Sequence, residues 1–65
     1  MEEEVKKSLQ KQIGKRLRTL RNERKMNAEE LGEKTDVTKS YISKLENGHV
    51  MPNIEYINKL SAVLN

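Results

Sequence analysis

The sequence has no cysteine and only one histidine, His49. Without cysteine there is no disulfide and no thiolate chemistry, and the redox compartment is left unconstrained. A zinc site needs several nitrogen or sulfur ligands, which one histidine beside scattered carboxylates does not supply, so neither a metal nor any other cofactor is expected. No apolar run approaches the roughly 18 residues of a spanning helix. The opening Met1-Glu2-Glu3-Glu4 has the wrong charge for a signal peptide. These readings predict a cytoplasmic protein with no membrane partner. Catalytic material is missing as well. Ser8, Ser40, Ser43 and Ser61 have no paired base in any recognisable constellation, and there is no glycine-rich phosphate loop, so an enzyme is not expected. Glycine and proline are too few for a linker, and no segment alternates with period two, which removes strands from consideration.

What remains is a short, charged chain. Sixty-five residues can bury only about 60% of their unfolded surface, which predicts one domain over residues 1–65. Hydrophobic residues are 34% and charged residues 35%, so the apolar ones must be placed with strict periodicity if the chain is to fold. The formal charge of +3 favours a polyanionic partner without proving one. Nine of the 13 basic residues lie between Lys6 and Lys25, behind Glu2, Glu3 and Glu4. That segregation suits a helix dipole, and a solvated helix face explains the run equally well.

Periodicity divides the chain into four helices. Val5, Leu9, Ile13, Leu17 and Leu20 trace one stripe in steps of four and three, predicting a first helix to about Lys25. Gly14 inside it costs about 1 kcal/mol relative to alanine, a cost often tied to close packing. Asn27, with Glu30 three residues on, reads as the capping box of a short second helix ending near Thr35. Thr38 caps a third helix from Lys39 to about Glu46, with Ile42 and Leu45 turned inward, and Asn47-Gly48 stops it. Asn53 follows Pro52 and caps a fourth helix, whose apolar face is expected from Ile54, Ile57, Leu60, Ala62, Val63 and Leu64. The chain is predicted to be all-α.

The second and third helices, joined by three or four residues, form a unit that can enter a DNA major groove. Leu31, Val37, Ile42 and Leu45 would hold their crossing angle. Lys39, Ser40, Ser43 and Lys44 would stay outside, as donors suited to base edges and phosphates. At this point a family resemblance is plain. Val37 through Gly48, with its Leu45-Glu46-Asn47-Gly48 end, resembles the signature of the lambda-repressor and Cro-like (XRE-type) helix-turn-helix family. Ile13-Gly14-Lys15-Arg16-Leu17-Arg18 resembles that family's first helix, and Met51-Pro52-Asn53-Ile54 the start of its fourth.

The resemblance implies a four-helix lambda-repressor-like domain, with the helix-turn-helix over about 27–47 and with family members commonly continuing into a fifth helix that this chain does not reach. It implies sequence-specific binding of double-stranded DNA by a transcriptional regulator, typically a repressor, acting as a homodimer on an inverted-repeat operator. Lys39, Ser40 and Lys44 would face base edges, while Asn27, Thr38, Tyr41, Ser43 and Asn47 would lie near the backbone. Arg21 and Glu46 match a structural ion pair of the family. Three departures stand out. Ala28 replaces a common glutamine that bonds a phosphate, and Lys25 and Asp36 replace turn glycines, so the turn at Lys25 is expected to be reshaped. Tyr41 is expected at the surface and Tyr56 half-buried at the rim of the fourth helix, with His49 solvated. A second class is a protein-interaction module on the same fold, or an antitoxin that binds a toxin protein as well as operator DNA.

Overall fold

A computed structural model describes residues 2–65, and Met1 lies outside them. Four helices make up the regular structure: α1 (Glu2–Glu23), α2 (Ala28–Lys34), α3 (Lys39–Glu46) and α4 (Ile54–Leu64). Among the described residues there is no strand, and no helix is long and apolar enough to cross a membrane.

Local chemistry starts each of the three later helices. The Asn27 side chain accepts from Glu30 N–H at 2.8 Å while the Glu30 carboxylate accepts from Asn27 N–H, closing the capping box of α2. Thr38 accepts from Tyr41 N–H at 3.0 Å, and Asn53 from Tyr56 N–H at 2.8 Å. Each bond satisfies a donor that the helix itself cannot pair and contributes about 1 kcal/mol.

The first three helices also end alike. The residue after each cap is left-handed: Lys25 at φ 56°, Asp36 at φ 61° and Gly48 at φ 74°. Met26 N–H then donates to Arg21 C=O, Val37 N–H to Gly32 C=O, and His49 N–H to Lys44 C=O, the bond pattern of a Schellman ending. Only one of these positions is glycine. The expected reshaping at Lys25 does not occur, because the paired carbonyls of Arg21 and Asn22 hold the turn in the left-handed form.

The core gathers Leu17, Leu31, Ile42, Leu45, Tyr56, Leu60 and Leu64. Burying a leucine or isoleucine of this kind contributes roughly 1.5–3 kcal/mol. Three expectations need correction. The inward face of α4 is Tyr56, Leu60 and Leu64, with Val63 half-buried, whereas Ile54, Ile57 and Ala62 are exposed. Tyr56 is not at the rim but in the core, its hydroxyl 2.8 Å from that of Thr35. Since the Thr35 proton is committed to Leu31 C=O, Tyr56 is the donor in that pair. Tyr41 is half-buried rather than at the surface, edge-to-face against Tyr56 with ring centroids 5.5 Å apart.

The stripe on α1 is corrected too. Only Leu17 is buried, and Val5 and Leu9 are 61% and 46% exposed, because the N-terminal half of α1 runs past the edge of the other helices. α3 packs on both α1 and α2, which makes it the most constrained helix of the four.

Candidate nucleic-acid interface

α3 is eight residues long and has two unlike sides. Ile42 and Leu45 are buried on the inner one, and Lys39, Ser40, Ser43 and Lys44 are exposed on the outer one. The split follows from helical spacing, since positions i, i+1, i+4 and i+5 share a face opposite the apolar pair.

Glycines at two places allow the bracing helices to come this close. A β-carbon on Gly14 of α1 would meet the backbone carbonyl of Leu45 and stand 2.7 Å from that of Glu46. One on Gly32 of α2 would stand 2.6 Å from the Val37 carbonyl in the turn before α3. Both approaches are to backbone, which cannot swing aside as a side chain can. Glycine is therefore required at each if α3 is to keep its place. The Gly32 requirement was not foreseen, although a glycine inside a seven-residue helix is its signal.

An ion-pair cluster ties the far end of α3 to α1. Arg21 donates through Nε to Glu46 at 2.6 Å and through Nη2 at 3.0 Å, while its Nη1 donates to Met26 C=O at 2.8 Å. Arg18 adds a third donor to Glu46 at 3.2 Å. The Glu46 side chain is 3% exposed and that of Arg21 14%. Burial alone would push the Glu46 carboxyl up, but the hydrogen bonds and charges of the two arginines outweigh it and hold it below its usual range. The bond to Glu46 in turn raises Arg21. Arg18 was missed in the sequence, although Gly14, Arg18 and Arg21, spaced four and three apart, share the face of α1 that meets α3.

The remaining candidate residues surround α3. Asn27 is exposed at the start of α2, its carbonyl oxygen taken by the capping bond and its amide NH2 left as a donor. Thr38 accepts one bond through its hydroxyl oxygen and keeps its own proton to donate. Tyr41 is fixed against Tyr56, and Asn47 donates to the Ser43 hydroxyl at 3.4 Å. Lys39, Ser40 and Lys44 make no side-chain hydrogen bond or ion pair within the described residues. Their donors point into solvent. His49 is exposed.

Comparison with known proteins gives a consistent picture. A helix-turn-helix family model matches residues 17–65. Two curated relatives, each an "HTH-type transcriptional regulator SinR", come from Bacillus subtilis (strain 168) and Bacillus licheniformis. Both are 43% identical over 54 residues, covering 82% of this chain and 49% of theirs. The chain thus spans about half the length of the curated relatives it matches. No solved structure matches it at comparable stringency.

Proposed function

The chain belongs to the XRE-type helix-turn-helix family, and from that premise we propose that it binds double-stranded DNA sequence-specifically and acts as a transcriptional repressor, with α3 in the major groove. The observation that carries this reading is the outer face of α3: two lysines and two serines with uncommitted donors, on a helix whose other side is locked by Ile42 and Leu45. The major groove is about 12 Å wide and admits one helix. The regulatory part of the reading draws on the relatives, which carry the name of transcriptional regulators.

Lys39, Ser40 and Lys44 are the base-reading residues. A lysine paired with guanine O6 and N7 contributes roughly 1–3 kcal/mol of discrimination. Asn27, Thr38, Tyr41, Ser43 and Asn47 hold the backbone and set the register, Asn27 at a helix N-terminus whose partial positive charge favours a phosphate. Ala28 cannot contribute the phosphate bond of a glutamine, so more of the positioning falls to Asn27 and Thr38. Glu46 takes no part in DNA contact, because its carboxylate is consumed by Arg21 and Arg18. On an inverted-repeat operator two copies would place their α3 helices about 34–36 Å apart. A repressor then acts by occupancy, covering groove and phosphates that other proteins need.

The test begins with selection of bound sequences from random duplex DNA, followed by gel-shift titration on the selected and a scrambled site. We expect Lys39→Ala and Lys44→Ala to erase the preference for the selected site, and Lys11→Ala or Lys15→Ala to weaken both sites alike. Equal losses on both DNAs for Lys39→Ala would retire its base-reading role.

A further inference from the structure

The N-terminal half of α1 and the groove beside its C-terminal half match in length and polarity, and the acidic first turn, Glu2 to Glu4, is opposite in charge to the arginines of the groove. The groove has a volume of about 450 Å³ and lies between α1 and α4, floored by Leu17, Leu20, Ile57 and Leu60, with Arg16 on its α1 wall and Arg24, the residue after α1, at its end. Ile57 there is 42% exposed. The exposed Val5 and Leu9 continue the same side of α1 beyond Ile13, so apolar surface runs from the projecting half of the helix into the groove. From Glu2 to Ile13 and from Ile13 to Arg24, the residue after α1, are equal stretches of twelve residues, each about 18 Å at helical rise.

We propose that two copies of this chain associate through α1 packed antiparallel about a two-fold axis at Ile13, each projecting half lying in the other's groove. With the axis there, Glu2 falls opposite the partner's Arg24 and Leu9 opposite the partner's Leu17, while Lys6 is level with the partner's Leu20, whose nearest apolar neighbour across the seam is Val5. Charge selects the antiparallel direction. Glu2, Glu3 and Glu4 form the acidic end of α1, and the next acidic residue in it is Glu23. A parallel pair would set the acidic first turns side by side and the basic C-terminal halves side by side, whereas the antiparallel pair brings each acidic first turn to the partner's Arg24, sets a half that Lys6, Lys7 and Lys11 make neutral overall against the basic half, and joins opposite helix-dipole ends. None of the groove's lining residues is on α2 or α3, so the outer face of α3 stays uncovered in the dimer. The inference supplies a surface for the two-fold dimer invoked above and rests on that reading for its purpose, but its test uses no DNA.

Sedimentation equilibrium of the 65-residue chain at low ionic strength, from micromolar to millimolar, measures the association. We expect a dimer that Glu2→Lys or Arg24→Glu weakens by about tenfold each, and that the Glu2→Lys/Arg24→Glu double variant restores. These positions are exposed, so circular dichroism should report unchanged folding. The lack of native cysteine permits a second readout. Ile13→Cys, at the axis, should oxidise to a covalent dimer, while Lys15→Cys, on another side of α1, should not. A chain that stays monomeric at millimolar concentration, a dimer indifferent to both charge reversals, or equal cross-linking at the two cysteine positions would overturn the proposal. In each of those cases the gel-shift titration still reports DNA binding on its own.

Discussion

Replacing Gly14 with alanine sets two physical effects against each other and makes the sign of the outcome informative. Alanine in a helix interior is favoured over glycine by about 1 kcal/mol, so propensity alone predicts a more stable protein. The packing predicts the reverse. An added β-carbon would stand 2.7 Å from the Glu46 carbonyl oxygen and nearer still to that of Leu45, whereas an ordinary carbon–oxygen contact is about 3.3 Å or longer. α1 must therefore retreat from the end of α3 by more than about 0.5 Å. That movement loosens the 2.6 Å bond between Arg21 and Glu46 and the contact of Leu17 with the core. Overpacking costs roughly 1–3 kcal/mol, and a weakened buried ion pair adds to it. Less the propensity gain, the net loss is about 1–3 kcal/mol. In a domain of this size each kcal/mol moves Tm by about 4–8 °C, so thermal unfolding followed by circular dichroism should show a drop of roughly 5–20 °C. An alanine variant with a raised Tm would refute the claim that Gly14 is held by the approach of α3.

The Glu46 cluster yields two further expectations. Glu46→Ala strands the nearly buried Arg21 guanidinium, and because some solvent still reaches it the loss should fall near 3 kcal/mol, the low end for a broken buried pair; calorimetry reads this directly. Because the Glu46 carboxyl is held below its ordinary value of 4.5, its contribution is complete above that value and disappears as pH falls through the depressed native one. Tm should accordingly decline on acidification below 4.5, and Glu46→Gln should flatten that decline. At the α1 terminus, Lys25 occupies a left-handed position at φ 56° that glycine takes without steric cost. We expect Lys25→Gly to stabilise the protein by about 0.5–1 kcal/mol in urea unfolding; a loss would mean that the lysine makes a contact that matters more than its backbone strain.

The parts of the fold that were legible in the sequence are those decided within a few residues. Asn27 with Glu30, Thr38, Asn47-Gly48 and Asn53 each act on backbone groups no more than three or four positions away, so their chemistry can be read from spacing. The spacing of Lys39, Ser40, Ser43 and Lys44 likewise puts them on one side of a helix before any neighbour is known. What spacing does not carry is where a helix loses its partner. Val5 and Leu9 keep the apolar period of Leu17, yet the other helices end short of them. On α4 the pattern offered Ile57 and Tyr56 for adjacent faces. Tyr56 went inward because Thr35, 21 residues away, accepts its hydroxyl proton and Tyr41 meets its ring. Partners so far apart in sequence leave no local trace.

We propose that α3 enters the groove by the face bearing Lys39, Ser40, Ser43 and Lys44. Titrating the isotopically labelled chain with its selected duplex, while following every backbone amide by NMR, reads that placement residue by residue. The largest shifts are expected at Asn27 and from Thr38 to Lys44, fading as salt rises with a log–log affinity slope near −0.9 per phosphate neutralised. Shifts centred instead on Ile57 and Leu60 in the α1/α4 groove, or none at low ionic strength, would contradict it.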